Sequence, residues 1–349
     1  MTDVNNALSN QIMELNFQRF WKHLDSLFHT ALGPLETRWL RIAGLLVKLE
    51  CRNPTLLHYI DIQLACCFTN DTNEPDAVFR LWQGDIAACL RLNHLERQIH
   101  IVKDNVQTLI INEDKGRLYG FDKNNDTSYF CLQDCSHESI TNLGYLIYQL
   151  LYNLAKQKGR FMLHGAALGY ENKGVLICGG TGHGKSTLAI SSLLQNCQYV
   201  ADDHFMLTRN ENITRAWPVY SIASLHESSL IQMPGLCLNK RWLKDNSKHV
   251  FDISAYGHQF CFGLTIKALI FPVLAPEEKK PSFTMIPAGR ILTHLIWSTI
   301  TQVNDRKDPK HIRNILDFLK DLPCYQLTLS SDIERNAKFL KKLILNKVK

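Results

Sequence analysis

The chain has 349 residues, 45% of them hydrophobic and 21% charged, with a formal net charge of +6. That length predicts one large or two medium domains with packed cores, and the composition excludes wholesale disorder. The mild positive balance suits anionic ligands in general, and without a basic stripe interleaved with aromatics it gives no reason to expect nucleic acid as a partner.

In chain order, the N-terminus Met1-Thr2-Asp3-Val4-Asn5-Asn6 lacks a basic region followed by an apolar core, so no secretory signal is expected. Residues 8–32 read as a helix, because Ile12, Leu15, Phe20, Leu24, Leu27 and Phe28 recur near helical spacing. Residues 36–50 fit a helix or a strand, and the apolar segments 56–68 and 76–92 are equally ambiguous. Asn70 to Pro75 is a loop between those two. From about residue 97 the texture turns to strands, at 98–103, 108–112 and 117–122, separated by polar turns. Leu143, Leu146, Ile147, Leu150, Leu151 and Leu154 mark a helix that stops near Gly159. Phe161–Tyr170 and Val175–Cys178 read as strands around a turn at 171–174, and 198–207 as a strand interrupted by two aspartates. Further strands are expected at 262–273, 282–287 and 324–329, with helices at 310–320 and from Ile333. No stretch reaches about 18 uncharged apolar residues, so no membrane span is expected. Eleven scattered cysteines without a C-x-x-C step fit small buried hydrophobes in a reducing, cytoplasmic setting. Cys131, Cys135 and His137 match no standard zinc spacing and lack a fourth ligand.

Residues 176–187 read Leu-Ile-Cys-Gly-Gly-Thr-Gly-His-Gly-Lys-Ser-Thr. Gly179 to Ser186 match G-x-x-x-x-G-K-S, the phosphate-binding P-loop. Glycines let the backbone curl and point successive N–H groups at a triphosphate. Gly179, Gly180, Thr181, Gly182, His183, Gly184 and Thr187 are therefore candidate nucleotide contacts. Lys185 would reach the β- and γ-phosphates, and Ser186 would place its hydroxyl on Mg²⁺. The helix that starts there adds its positive end. ATP and Mg²⁺ are the expected ligands, although no base-reading motif chooses between ATP and GTP.

The partner acids define the chemistry. Asp202 and Asp203 follow Lys185 by 17 and 18 residues, the span of one helix and a return loop. The next strand is thus expected beside the P-loop strand, with both carboxylates at the phosphate site. Adjacent strand residues face opposite sides, so one acid can serve Mg²⁺ and the other an incoming hydroxyl. His164, in Leu-His-Gly-Ala-Ala, reads as a core histidine or as an active-site one.

His164-Gly165, Gly174 to Ser186, and Val200-Ala-Asp-Asp203 together resemble the catalytic domain of the HPr kinase/phosphorylase family and its relatives. Order, spacing and residue types agree over residues 163–207. The resemblance implies an α/β fold with a P-loop kinase core related to phosphoenolpyruvate carboxykinase. It implies an ATP-dependent kinase acting on a Ser or Thr of a protein or peptide. Carried over, His164 is an active-site residue, Lys185 and Ser186 hold phosphate and Mg²⁺, and Asp203 is the base. Asp202 is then the acid left for the metal. Thr187 stands where the family usually carries Glu, and its Glu-Ile-Arg-Gly signature is absent. Glu227, in Leu225-His-Glu-Ser, is the nearest substitute metal ligand. Pro287-Ala-Gly-Arg290 resembles the family's later Pro-Gly-Arg step, making Arg290 a candidate phosphate contact. Residues 1–95 have no counterpart and form an additional N-terminal region before a catalytic domain at 96–349. The family also implies a homo-oligomer.

Phosphoryl transfer needs mainly positioning and charge neutralisation, with a carboxylate oriented on the nucleophile. Three other functions stay open: a small-molecule kinase, a nucleotide-driven switch and a nucleotide-binding scaffold. A GTPase should carry N-K-x-D, which Asn239-Lys240-Arg241-Trp242 and Asn346-Lys347-Val348-Lys349 both fail. No L-S-G-G-Q-like transporter signature occurs.

Overall fold

The computed structural model describes residues 17–90, 99–103, 107–112, 116–136, 145–180, 182–236, 241–244, 248–301 and 309–348. The chain divides into two compact units, Met1–Asp61 with Phe68–Leu154, and Ile62–Cys67 with Ala155–Lys349.

Elements up to residue 132 are α1 (Phe17–Thr30), β1 (Glu36–Ile42), β2 (Leu45–Cys51), α2 (Pro54–Gln63), β3 (Ala77–Gln83), α3 (Ile86–Leu90), β4 (Ile99–Lys103), β5 (Gln107–Asn112), β6 (Arg117–Asp122) and β7 (Thr127–Leu132). The strands form one mixed sheet in the order β1-β2-β3-β7-β6-β5-β4. The ambiguous stretch 36–50 is a hairpin. Ala43 and Gly44 both take positive φ, 49° and 83°, which is the turn geometry that matches strand twist. Stretch 56–68 is mainly helical, because Asn53 Oδ1 caps the Leu56 N–H at 2.9 Å and Pro54 takes the first helical position. Stretch 76–92 divides into β3 and α3 at Gly84-Asp85. Phe20, Trp21, Leu24 and Phe28 form the apolar face of α1 and share a core with Trp82, Leu118 and Tyr129. Burying each such side chain contributes roughly 2 kcal/mol.

The domain boundary expected near residue 95 falls inside this sheet. β3, before it, pairs in parallel with β7, after it, from Val78↔Thr127 to Gln83↔Leu132. Those ladder hydrogen bonds fuse the two stretches, and the division comes near residue 155 instead. His137 and Leu143 lie outside the described residues, and Cys131 and Cys135 are buried. Among the described residues no group of three His, Cys, Asp or Glu side chains is arranged to hold a metal, and no helix is long and apolar enough to cross a membrane.

From residue 148 onward the elements are α4 (Tyr148–Gln157), β8 (Phe161–His164), β9 (Ala166–Tyr170), β10 (Lys173–Ile177), α5 (Lys185–Leu193), β11 (Gln198–Ala201), β12 (His204–Asn210), β13 (Ile213–Pro218), β14 (Ile222–His226), α6 (Glu227–Ile231), β15 (Arg241–Lys244), β16 (Lys248–Asp252), β17 (Leu264–Leu274), β18 (Ser282–Met285), α7 (Ala288–Ile300), α8 (Pro309–Leu319), β19 (Cys324–Leu329) and α9 (Ile333–Lys347). Nine strands make the main sheet, in the order β11-β9-β10-β17-β13-β12-β8, with β19 on β17 and β18 on β19. β14, β16 and β15 form a small antiparallel sheet. The main sheet is covered on both faces. Val175 and Ile177 pack with Leu188 of α5 and Leu340 of α9, while Leu176 and Leu269 pack with Leu295 of α7 and Ile315 of α8. Strands buried on both faces read as continuous apolar runs, which is why β10 and β17 were visible in the sequence. The architecture is mixed α/β.

Strand direction positions the site. β10, β17 and β19 run parallel, and β9 is antiparallel to both β10 and β11. The C-terminal ends of β19, β17, β10 and β11 therefore open on the same edge of the sheet, in that lateral order. One expectation is corrected here. β11 does not lie beside β10, because β9 intervenes. Glu171 and Asn172, both at positive φ, turn β9 tightly back into β10 and fill that flank, while β17 fills the other.

Candidate active site

Ile177 ends β10 and Lys185 begins α5, so the glycine-rich segment is a loop between a buried strand and a helix. Gly184 caps the helix with a left-handed backbone, φ 80° and ψ 12°. A side chain there would be strained, and its Cβ would lie 3.1 Å from Leu274 Cδ2. Gly182 shares that conformation, with φ 84°. Lys185 Nζ donates to the Gly180 carbonyl at 3.0 Å, and the lysine is only 7% exposed. Burial lowers its pKa from the usual ammonium value, and the nearby Asp203 charge works against that shift. Ser186 Oγ points to the Asp202 carbonyl at 3.4 Å, and Thr187 Oγ1 lies 3.0 Å from Ser229 Oγ. Thr181 lies outside the described residues.

β8 and β9 form one bent strand, paired along its length with β11 and β12. His164 faces His204, and Ala167 faces Ala201. The ladder is interrupted between these points, where Gly165 N–H donates to the Asp203 carbonyl at 2.8 Å. Both strands are interrupted at that corner within the nine-stranded sheet, and interruptions of this kind re-aim side chains. The two aspartates diverge as alternation requires. Asp203 turns to His164, whose Nε2 lies 2.8 Å from its Oδ1; His204 Nδ1 is at 3.7 Å. A hydrogen bond from the His164 N–H to Thr299 Oγ1 at 3.1 Å fixes the strand end. The His164 Nδ1 atom is buried with no hydrogen-bond partner among the described residues.

Asp202 turns inward. Its carboxylate accepts from the Tyr199 hydroxyl at 3.2 Å and from the Ser224 N–H at 3.3 Å, and it is 2% exposed. Burial, reinforced by the Asp203 charge, pushes its carboxyl up to about 7, against those two hydrogen bonds. The same burial raises the Tyr199 phenol well above its ordinary value.

Lys185, Ser186, Thr187, His164 and Asp203 line one cavity of about 320 Å³. Asp202, expected at the metal, supports this lining from behind without entering it. Glu227, the other expected metal ligand, stands at the start of α6 with its Oε2 2.5 Å from His249 Nε2, and its neighbours Ser228 and Ser229 line the cavity instead. Arg290 lies in the first turn of α7, its guanidinium 5.5 Å from the Phe271 ring centre. It lines a second cavity with Gly182, His183, Phe271 and His294, separate in its lining from His164 and Asp203. Sequence reasoning missed Lys248, Ser224 and Ser229, which the small sheet and α6 bring to the first cavity. It also missed Leu274, Pro276, Leu329 and Ser331 at the ends of β17 and β19. The one usable signal was the rule that ligands gather at the carboxyl ends of parallel strands.

The chain matches no protein-family model and no curated protein. Among solved structures it is similar to the HPr(Ser) kinase/phosphatase from Coxiella burnetii, at 15% identity and a TM-score of 0.29, over 53% of this chain and 94% of that one. At that level of similarity, what the site does has to be argued from its own residues.

Proposed function

We propose that the chain is a phosphotransferase that uses the glycine loop at 179–186 as a P-loop and moves the γ-phosphoryl group of ATP to a hydroxyl, on a Ser or Thr of a protein or peptide. The observation that carries this reading is the Asp203–His164 pair at 2.8 Å in the same cavity as Lys185 and Ser186. Lys185 is desolvated and, among the described residues, hydrogen-bonded to a loop carbonyl, so an incoming phosphate offers it a far stronger partner. Asp203 accepts the proton of the acceptor hydroxyl, and the imidazole of His164 holds that carboxylate by donating Nε2–H to it. The loop amides and the start of α5 stabilise the oxygens of the moving phosphoryl group. The lining offers a hard oxygen donor suited to Mg²⁺, the Ser186 hydroxyl, and leaves the Asp203 carboxylate for the proton. One or two protein oxygens suffice, because Mg²⁺ takes its other ligands from phosphate and water. Bound there, the ion neutralises charge on the β- and γ-phosphates. Asp202 keeps Tyr199, Ser224 and the corner of the ribbon in place.

The test is incubation of the full chain with γ-labelled ATP and Mg²⁺ in a lysate of its source organism, with Lys185→Ala as control. A labelled protein or peptide that requires Lys185 is the expected result. Label in metabolites alone would move the acceptor to small molecules. Release of free phosphate alone would favour a nucleotide-driven switch, and the absence of any turnover would overturn the transferase reading.

A further inference from the structure

The cavity beside the glycine loop has two sides of opposite character. On the β11 side of β10 stand Asp203 and His164. On the β17 and β19 side stand Leu274, Pro276, Leu329 and Ile333, lining the same cavity. Sheet order fixes this opposition: β17 and β19 flank β10 on one side, β9 and β11 on the other. The apolar side lies against the helix cap, since a Cβ on Gly184 would meet Leu274 at 3.1 Å and Leu329 at 3.3 Å. Leu274 is 53% exposed and borders a concave site, next to the exposed Pro276. Behind it the polar groups are already satisfied. Asn336 Oδ1 accepts from the Ser330 N–H at 3.0 Å and from its hydroxyl at 3.1 Å, and Asn336 Nδ2 donates to the Ser330 carbonyl at 2.8 Å. These bonds hold the 329–333 turn rigid and leave the exposed Ser331 at the rim.

We propose that the slot between the ends of β17 and β19 and the start of α5 binds the nucleoside of the triphosphate, with the base lying on Leu274 and Leu329. This rests on the transferase reading above. A triphosphate on the loop has two ends. The γ end must face the carboxylate that activates the acceptor, so the nucleoside end is directed to the opposite side. There it meets an apolar surface, exposed Leu274 and Pro276 with Leu329 buried at their base, and the Ser331 hydroxyl at its edge, the composition of a base-binding pocket. The described residues on this side of the cavity present no carboxylate or guanidinium, so the slot supplies affinity by burial and treats different bases alike except through Ser331 and nearby backbone groups.

The test compares Mg-ATP with Mg-tripolyphosphate, which carries the same phosphate chain without a nucleoside, by calorimetric titration of the full chain. The slot predicts ATP binding at least about tenfold tighter than tripolyphosphate, the yield of burying roughly one such side chain's worth of apolar area. Leu274→Ser, at an exposed position, and Ser331→Trp, which fills the slot, should each erase most of that advantage. Tripolyphosphate binding should be unchanged in both, which also shows that the loop is still folded. Equal affinity of the wild-type chain for ATP and tripolyphosphate would overturn the slot and leave the phosphate loop standing. ATP binding unaffected by either variant would overturn it too. If the variants raise only the KM for the acceptor, the slot belongs to the acceptor. A wild-type chain that binds neither probe would sink the transferase reading itself, and the slot with it.

Discussion

Glu50 in the first unit and Asp202 in the second are both buried carboxylates, and they are treated in opposite ways. Glu50, in the first, is 7% exposed, but Lys48 stands 2.6 Å and Arg80 3.0 Å from it. Burial alone would raise its pKa. The hydrogen bonds from Lys48 and Arg80 outweigh burial and hold it below the ordinary carboxylate range. Asp202, in the second, is buried more deeply, and its hydrogen-bond partners are a phenol and a backbone amide, with a like charge on the next residue. The first arrangement spends cationic side chains on compensation, as a structural core does. The second keeps an expensive carboxyl beside Lys185 and Asp203, and strongly perturbed groups of that kind mark functional sites.

This contrast can be broken first at the residues proposed to carry the transfer. Lys185→Ala should lower phosphoryl transfer by about a hundred- to a thousandfold, and Asp203→Asn by a similar factor with ATP affinity retained. Labelled-phosphate transfer and calorimetry separate the two effects. Unchanged transfer in Asp203→Asn would remove the base assignment. The next effect belongs to the first unit. Arg80→Ala leaves Glu50 and Asp25 without their guanidinium and should cost about 3 kcal/mol in denaturant unfolding, with transfer per folded molecule intact.

A finer test uses pH. Asp202 has a folded pKa of about 7 against an ordinary value of 3.8, so the folded state binds the extra proton between those values. In the ligand-free chain this group should make stability fall as pH rises from about 4 to 7, by up to about 1.4 kcal/mol per pH unit. Asp202→Asn should flatten that slope. Glu50 should act the other way. Its folded pKa is depressed, so its contribution is present at neutral pH and is lost as pH drops below the usual carboxylate range. Melting curves from pH 3 to 8 on wild type, Asp202→Asn and Glu50→Gln would show two opposite slopes. A single shared slope would erase the distinction between the units. The smallest effect serves as a control. Asp332 caps α9 by accepting from the Arg335 N–H at 2.9 Å, and Asp332→Ala should cost about 1 kcal/mol at neutral pH.

Local features could be read from the sequence, and long-range pairings could not. The strand, glycine loop and helix at 174–194 are contiguous, so periodicity and glycine spacing identified them together. The helices at 309–319 and from Ile333 and the strand at 324–329 carried equally local signals. Asp203 and His164 were singled out, but their 2.8 Å contact depends on a ribbon joining stretches distant in the sequence. The hairpin at 36–51 was missed because its Ala43-Gly44 turn interrupts an apolar run that suits either period. The unit boundary was misplaced for a related reason: parallel pairing of β3 with β7 leaves no mark near residue 95. Lys248, Leu274 and Ser331 reach the cavity only through sheet order, which no stretch of residues encodes alone.

The bent ribbon has one further consequence. His164 and Asp203 are neighbours because the register that pairs His164 with His204 continues across the corner to Ala167 and Ala201, before it shifts by one residue between Ala201 and Tyr199. Their meeting is a matter of counting along two strands, and no loop has to close to produce it. Adding one residue to β8 or β12 would invert every side chain beyond it and send the imidazole or the carboxylate to the far face. Adding several residues at the Glu171-Asn172 turn would leave both untouched. Related chains should therefore differ freely in length at that turn and be invariant in length between Phe161 and Ala167 and between Tyr199 and Leu207.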